Sequence, residues 1–282
     1  MKYIYLLLLV LYQSCASYEA RISPQWEIFE FGQVKIYYRK ENFSKSPSPS
    51  LQFIKGVAEE HANGIKKAER LTRTSLESTF EIYIHNMDES KVARFPHGGM
   101  AYLEDSMILY SYDGSYTLNQ DGSRYYTGVH ELGHLIFGKE FGTNRIEYNK
   151  IISEGMAVWF DESYQKIGII SYATNVKTTY RKTLDYWIQQ SDNWLSISEL
   201  IKNQRSLKEA VVYPQSGAIV KFLYANYGLE ILKALYTVED WFLIKEIENH
   251  TGKKIEEIEK DYREFLSNHK DLHKPKYRYS IK

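Results

Sequence analysis

The segment TGVHELGHLIFG, residues 127–138, places two histidines four positions apart in an apolar run with helical spacing. Residues four apart on a helix lie one turn along the same face, so the rings of His130 and His134 can share one metal ion. The opposite side of the same helix carries a core-facing stripe without the histidines, formed by Tyr125, Val129, Leu132 and Ile136. The segment therefore predicts an amphipathic helix that also supplies two metal ligands.

Two glutamates complete the chemistry that this helix indicates. Glu131 lies ~60–100° around the helix from the histidines, which suits a general base that reaches a water at the metal without binding the metal itself. Catalytic zinc takes three protein ligands and keeps one position open. In IISEGMAVWFDE, Glu154 follows far enough along for a second helix to return antiparallel, and Gly155 and Ala157 would let the two helices approach closely. The sequence predicts Glu154 as the third ligand of one Zn²⁺.

HELGH paired with the downstream SEGMA resembles the gluzincin zinc metallopeptidases, in particular the aminopeptidase N/thermolysin-like superfamily and its small bacterial peptidase MA-like members. The resemblance covers about residues 80–268, including YPQSGAIVKFLYANYG and TGKKIEEIEKDYREFL. It implies zinc binding by His130, His134 and Glu154, with Glu131 as the base that deprotonates a zinc-activated water. It also places Tyr213 where these enzymes often hold a tyrosine that hydrogen-bonds the tetrahedral oxyanion. The alternative for this tyrosine is packing at a helix entry before Pro214.

The resemblance also assigns the strand that binds substrate. GGMAYLEDSMILY occupies the position of the edge strand on which these enzymes lay an extended peptide, so the predicted substrate-binding residues are Gly98, Gly99, Met100 and Ala101. The aminopeptidase pattern reads Gly-x-Met-Glu-Asn, and its glutamate binds the free amine of the substrate. Ala101 stands in the place of that glutamate, unless Glu104 or Asp105 substitutes for it. An endopeptidase is therefore favoured over an aminopeptidase.

The remaining titratable candidates carry less information. Asp161 follows Glu154 on the same helix face and could orient a ligand histidine from behind, the alternative being a solvated helix-end aspartate. The other histidines have no partner at ligand spacing and are interpreted as surface or structural residues: His61, His85, His97, His250, His269 and His273. The sequence contains no Gly-x-Ser-x-Gly and no Cys-x-x-Cys motif, so serine-hydrolase and dithiol redox chemistry lack their residues.

Hydrophobic periodicity predicts an α+β fold. Strand-like alternation surrounds Gly32 and returns in STFEIYIHN and GGMAYLEDSMILYSY, with a helical pattern over 51–71 between them. From about residue 150 the pattern is helical almost throughout, with a capping box at Ser196 and Glu199 and helix ends at Gly228 and Gly252.

The predicted architecture is a thermolysin-like lobe, with a mixed sheet and the HExxH helix, followed by a mostly α-helical lobe. The active site is expected in the cleft between them. The predicted segments are an export signal over 1–16, the α+β lobe over 17–142, the helical lobe with the third ligand over 143–270, and a basic tail over 271–282.

The first residues, MKYIYLLLLVLYQSCAS, resemble a signal peptide, since one lysine precedes an apolar run that is too short to span a bilayer. Cleavage after Ala16 fits this pattern, and so does lipidation at Cys15, although Tyr12 stands where a lipobox usually has leucine. As the single cysteine of the chain, Cys15 has no disulfide partner. We expect an exported protein of the bacterial periplasm or cell surface, either lipid-anchored or secreted.

Charge balance limits the partners. Lys+Arg and Asp+Glu number 36 each, and the 25 tyrosines are scattered rather than grouped beside basic runs, which argues against nucleic acid binding. The expected partner is a peptide or protein substrate, with no obligate protein partner. The predicted function is a zinc peptidase. The alternative is a catalytically silent lipoprotein that uses the zincin fold for binding or envelope-protein assembly, against which Glu131 argues because a structural zinc site needs no base.

Overall fold

The computed structural model describes residues 26–39, 49–86, 99–112, 128–142, 149–171, 176–189 and 191–272. Over these residues the chain is α+β, with one small mixed sheet, one separate hairpin and otherwise mostly helices. The predicted signal with Cys15, the tail from 273 onward, and Gly98 lie outside them. None of the helices in the described ranges has both the length and the apolar character needed to cross a bilayer. The chain divides into two compact units.

The first unit, residues 1–63 and 77–116, holds the sheet. Its strands are β1 (Glu27–Phe31), β2 (Val34–Tyr38), β3 (Phe80–Asn86), β4 (Gly99–Tyr102) and β5 (Met107–Tyr112). The order is β1-β2-β3-β5-β4; β3 pairs in parallel with β2 and β5, and the two outer pairs are antiparallel. Gly32, with φ of 58°, allows the turn between β1 and β2. Among the described strands, β4, which carries Gly99, Met100 and Ala101, lies at one edge of the sheet.

Helix α1 (Leu51–Thr72) begins in this unit and buries His61 completely. The Nδ1 atom of His61 lies 2.8 Å from the Val57 carbonyl oxygen, and Nε2 lies 2.9 Å from the Tyr110 hydroxyl on β5. Both ring nitrogens are therefore hydrogen-bonded inside the core, as burial of a polar ring requires. His61 is a structural histidine that ties α1 to the sheet.

The second unit comprises residues 64–76 and 117–282. Its helices are α2 (His130–Glu140), α3 (Lys150–Asp161), α4 (Leu184–Gln189), α5 (Ile197–Asn203), α6 (Glu209–Tyr227), α7 (Leu229–Tyr236), α8 (Leu243–Thr251) and α9 (Ile255–Leu272). The predicted capping box is present, because Ser196 and Glu199 each bond the backbone of the other at the start of α5. Gly228 and Gly252 end α6 and α8, as predicted. Tyr213 and Pro214 lie inside α6 rather than at its entry.

A hairpin interrupts the helices and corrects the expectation that the chain is helical almost throughout from about residue 150. Strands β6 (Ser163–Ser171) and β7 (Val176–Thr183) pair antiparallel, from Ser163 opposite Thr183 to Ser171 opposite Val176. The sequences YQKIGIIS and VKTTYRKT are rich in β-branched and aromatic residues, which favour strands. The short apolar run IGII does not by itself distinguish a strand from a helix, and this ambiguity hid the hairpin.

The HELGH helix belongs to the helical unit, whereas the sequence placed the boundary after residue 142. The reason is direct packing of α2 on α3. A Cβ atom added to Gly133 of α2 would lie 3.1 Å from the Phe160 ring and 3.3 Å from the Cα atom of Ala157. Ala157 therefore lies at the close approach of these two helices, as predicted, and glycine at 133 makes that approach possible.

Gly155 serves a different contact from the one predicted. A Cβ atom there would lie 2.6 Å from the Ser216 carbonyl oxygen and 2.8 Å from Val220 Cγ2, both on α6. Gly155 thus lets α3 pack on α6 rather than on α2. A side chain at position 155 would collide with backbone atoms of α6. Such a collision cannot be relieved by rotating a side chain.

Replacing Gly155 by alanine is expected to destabilise the protein by about 1–3 kcal/mol, because the new methyl group displaces the backbone of α6. Gly133→Ala is the comparison variant and should cost less, because its tightest neighbour is a side-chain ring at 3.1 Å that can shift and because alanine also favours the helix. Urea unfolding of both metal-free variants measures the difference. Equal midpoints would contradict the assigned packing.

Candidate metal centre

Helix α2 is held at its first turn by an aspartate from α3. The Val129 amide, one residue before His130, donates to Asp161 Oδ1 at 2.9 Å. A carboxylate at a helix N-terminus is favoured because it accepts an amide that has no partner within the helix. Asp161 therefore lies beside the HELGH motif, where it fixes the start of the helix that carries both histidines.

Helix α2 is buried on more sides than its amphipathic pattern predicts. The run from Glu131 to Gly138 is buried, including Glu131 and His134 among apolar neighbours. The histidine face is thus not a solvent face but an inner one. Burial of this kind disfavours the charged form of a side chain that has no partner of opposite charge.

Asn149 fixes the start of α3 and was not identified from the sequence. Its Oδ1 atom accepts from the Ile152 amide at 2.6 Å, and its Nδ2 atom donates to the carbonyl oxygens of Leu235 and Val238 at 2.9 and 2.8 Å. This buried side chain therefore caps α3 and binds the end of α7 at once. An asparagine directly before an apolar helical run is the signal that could have revealed it.

Replacing Asn149 by alanine is expected to reduce the free energy of unfolding by about 2–4 kcal/mol, because the cap is lost and two buried carbonyl groups lose their donor. Asn149→Asp keeps the capping oxygen without the amide donor and separates the two contributions. Thermal and urea unfolding give the measurement. A loss below about 0.5 kcal/mol for the alanine variant would show that these bonds do not hold α3.

The predicted ligands converge. Nε2 of His130 and Nε2 of His134 lie 3.1 and 3.3 Å from Oε2 of Glu154. One ligand atom from each of the three residues falls within 4.8 Å of the other two. Their side chains are 12, 4 and 15% exposed in the order His130, His134 and Glu154. This group can therefore bind a metal ion in a mostly buried position.

The spacing of these atoms suits a small tetrahedral ion. Ligand atoms ~2.0–2.2 Å from a tetrahedral metal lie roughly 3.3–3.6 Å apart, close to the two nitrogen-to-oxygen separations observed. Two imidazole nitrogens and one carboxylate oxygen are donors that zinc accepts, and three protein ligands leave a position open. The site fits the metal that the sequence predicts.

The pKa directions of the ligands reflect their mutual contacts. Burial lowers the pKa of His130, but the hydrogen bond to Glu154 and the charges of Glu131, Glu154 and Asp161 outweigh burial and raise it overall. Burial alone would raise the pKa of Glu154, yet the two histidines hold it well below its usual range. Glu154 is therefore an anionic ligand at any physiological pH.

Glu131 experiences the opposite balance. Burial raises its pKa, the two histidines oppose this, and the charges of Glu154 and Asp161 add to the rise. A carboxylate with a raised pKa is a stronger base than an exposed one, which is the property a proton acceptor near neutral pH requires. Glu131 is buried beside His130 and His134, so its carboxylate lies close to any group that binds at the metal centre.

Tyr213 from α6 also reaches the site. Its ring stacks on His130 with centroids 6.0 Å apart and planes 11° apart, and Lys150 Nζ lies 5.3 Å from its centroid. Burial raises the pKa of the Tyr213 hydroxyl far above its usual value, and the charges of Glu154 and Glu209 add to this. Tyr213 therefore stays protonated and can donate a hydrogen bond at the metal centre.

The chain matches no protein-family model and no curated protein. The geometry alone therefore supports the site. The structure brings together all the predicted residues of the metal centre, namely His130, Glu131, His134, Glu154, Asp161 and Tyr213. The substrate-strand residues Gly99, Met100 and Ala101 lie in the first unit.

Metal affinity is expected to fall as the pH is lowered, because a metal binds the neutral form of the imidazole ring. The pKa of His130 is raised from 6.5, so proton competition begins above that value and strengthens as pH falls. Glu154, with its lowered pKa, stays ionised over the same range. His130 alone then costs up to about tenfold in affinity per pH unit.

Competition with a chelating dye between about pH 8 and pH 6 measures this dependence. His250→Gln, which changes an exposed histidine, is the control and should leave the curve unchanged. A metal affinity independent of pH over this range would contradict binding through His130.

Proposed function

We propose that the protein is a zinc-dependent peptidase of gluzincin type, with His130, His134 and Glu154 as zinc ligands and Glu131 as general base. The observation that carries the proposal is a buried group of three metal ligands together with Glu131, a carboxylate of raised pKa on the helix that carries the two histidines. A structural zinc site has four protein ligands and no need of a base. The retained glutamate and the open position together favour hydrolysis.

When bound, Zn²⁺ would polarise a peptide carbonyl and lower the pKa of a coordinated water. The protein residues do the rest. Glu131 takes the proton from the attacking water, which its raised pKa favours, and passes it to the leaving amine. Tyr213, held protonated beside His130, donates a hydrogen bond to the oxyanion.

The same proposal assigns a thermolysin-like fold and a substrate strand. Among the described strands, none pairs with the outer side of β4, and an extended peptide can add there by main-chain hydrogen bonds. Ala101 on this strand has no carboxylate with which to bind a free amine. The substrate is therefore proposed to be an internal segment of a peptide or protein, cleaved outside the cytoplasm by an exported enzyme.

Zinc content and peptide cleavage test the proposal together. The purified protein should contain one zinc per chain and cleave a diverse peptide library at internal bonds. Activity should disappear with 1,10-phenanthroline and return when zinc is added. Full zinc occupancy without cleavage of any peptide would refute the peptidase and support the silent binding protein. Folded protein without affinity for zinc would refute the metal site as well.

A further inference from the structure

Lys150 lies one helical turn from the third metal ligand. It is the first residue of α3, and Glu154 follows it by four positions. Residues four apart on a helix lie on the same face, about one turn apart. Glu154 itself pairs with the two histidines rather than with this lysine. The face of α3 that supplies the third ligand therefore also carries a cation at the start of the helix.

A single aromatic ring connects this lysine to the metal centre. Lys150 Nζ lies 5.3 Å from the centroid of the Tyr213 ring, and that ring stacks on His130 with centroids 6.0 Å apart. An extended peptide advances about 3.3 Å per residue. An ammonium group at this separation from a ligand ring matches a substrate group one or two residues from the cleaved bond.

The carboxylate that pairs with Lys150 is held loosely. Glu209 Oε1 lies 3.8 Å from Lys150 Nζ, which is longer than the ~2.7–2.9 Å of a charge-assisted hydrogen bond. The lysine side chain is 35% exposed and the glutamate side chain is 59% exposed. Ion pairs this exposed contribute little to stability. A carboxylate from outside can therefore take the place of Glu209 at small cost.

The position of Lys150 does not favour helix α3 either. The positive end of a helix dipole disfavours a cation in the first turn, and the first turn of α3 contains no acidic residue. The buried Asn149 side chain already caps this helix. The lysine and the helix end thus add to one positive potential beside the metal centre, and such a potential attracts an anion.

We infer that Lys150 is a specificity-determining residue that binds a carboxylate of the substrate, one or two residues from the cleaved bond. The inference rests on the proposed peptidase function and names its substrate class. The substrate carboxylate displaces Glu209 and pairs with Lys150 Nζ beside the Tyr213 ring. In an internal segment, an aspartate or glutamate side chain supplies this group, and at a chain end the C-terminal carboxylate supplies it.

Binding is tested apart from cleavage with the zinc-loaded Glu131→Gln protein. The probes are a fluorescein-labelled, C-terminally amidated eight-residue peptide of alanine, serine and leucine with one central glutamate, and the same peptide with glutamine in its place. Fluorescence anisotropy should show about fivefold tighter binding of the glutamate peptide at low salt, as one added ion pair predicts. The difference should shrink as salt is added.

A third peptide separates the two sources of the carboxylate. It has the central glutamine and a free C-terminal carboxylate. If it binds more tightly than its amidated form, and this gain requires Lys150, the lysine binds a chain end. If the gain belongs to the glutamate peptide, the lysine binds an acidic side chain. Either result supports a carboxylate site at Lys150.

Variants in the same background assign the preference to this lysine. Lys150→Gln should lose the preference, and Lys150→Glu should prefer a peptide with lysine at the central position. Glu209→Gln removes the competing carboxylate and should enlarge the preference, which tests the inference even if the lysine variants unfold. Lys233→Gln removes an exposed lysine of α7 and is the control that should change nothing. Zinc content and melting temperature are measured on every variant.

Three results would overturn the inference. The first is no gain in affinity from either kind of carboxylate, and the second is a gain that survives in Lys150→Gln. The third is an equal loss of binding to all three peptides in that variant, which would assign Lys150 a packing role against Tyr213.

The proposed function and the carboxylate site fail in different ways. A Lys150-dependent preference in binding without cleavage by the active protein would support the carboxylate site while refuting the peptidase. Cleavage of all three peptides with equal kcat/KM and equal binding would refute the carboxylate site while supporting the peptidase.

Discussion

Replacing Glu131 by glutamine is expected to lower kcat/KM for peptide hydrolysis by about 10²–10⁴-fold while zinc remains bound. This corresponds to ~3–5 kcal/mol of activation free energy. The amide has nearly the same shape as the carboxylate but cannot accept the proton of the attacking water. Zinc binding should persist because Glu131 is not among the three residues whose ligand atoms converge.

The control for this variant is Glu140→Gln, the same substitution on the same helix. Glu140 accepts a hydrogen bond from Thr74 at an exposed position and should leave cleavage unchanged. Steady-state cleavage of one quenched fluorescent peptide, with zinc content measured on the same samples, gives the comparison. An active Glu131→Gln protein with full zinc would exclude this residue as the base.

Replacing Glu154 by glutamine is expected to weaken zinc binding by about 10²–10³-fold. Structural zinc is bound with ~10–16 kcal/mol by four ligands, so one ligand contributes ~3–4 kcal/mol. The loss has a second cause here. The Glu154 carboxylate pairs with both histidines, and without it neither ring keeps the orientation that points Nε2 at a common position.

Two measurements separate these effects in the Glu154 variant. Chelator competition gives the affinity, and the rise in melting temperature on adding zinc gives the linkage between binding and folding. Glu162→Gln, at the exposed end of the same helix, is the control and should retain both. Tight stoichiometric zinc in the Glu154 variant would mean that the third ligand lies elsewhere.

The metal centre was predictable because its signals are local. Helical spacing places His130 and His134 together whatever surrounds the helix, and the geometry confirms that they meet. The prediction of Glu154 required one further assumption, that a second helix follows and runs back antiparallel to the first. Helix pairs of this kind are common. The edge position of β4 and the capping box of α5 were predictable for the same reason, since both follow from short patterns.

The rest depends on tertiary packing that a sequence pattern does not contain. The hairpin from Ser163 to Thr183 contains a short apolar run whose pattern fits a strand or a helix, and only the strand partner decides between the two. From the sequence alone, Asn149 can be predicted only as a helix cap. Its second role, donating its amide to carbonyl oxygens at the end of α7, depends on the packing of the two helices. Gly155 faces α6 rather than α2, and its helix offers no local sign of which neighbour it meets.

The position of Gly155 has a consequence for how substitutions would be tolerated along the chain. It directly follows the ligand Glu154, yet its hydrogen atoms lie against a carbonyl group of α6. If every single substitution were scored by the zinc binding that the folded protein retains, position 155 should therefore tolerate substitution as poorly as the ligand positions do. A position without any side chain would then appear to be part of the catalytic chemistry, and only the close approach of two helices would explain why.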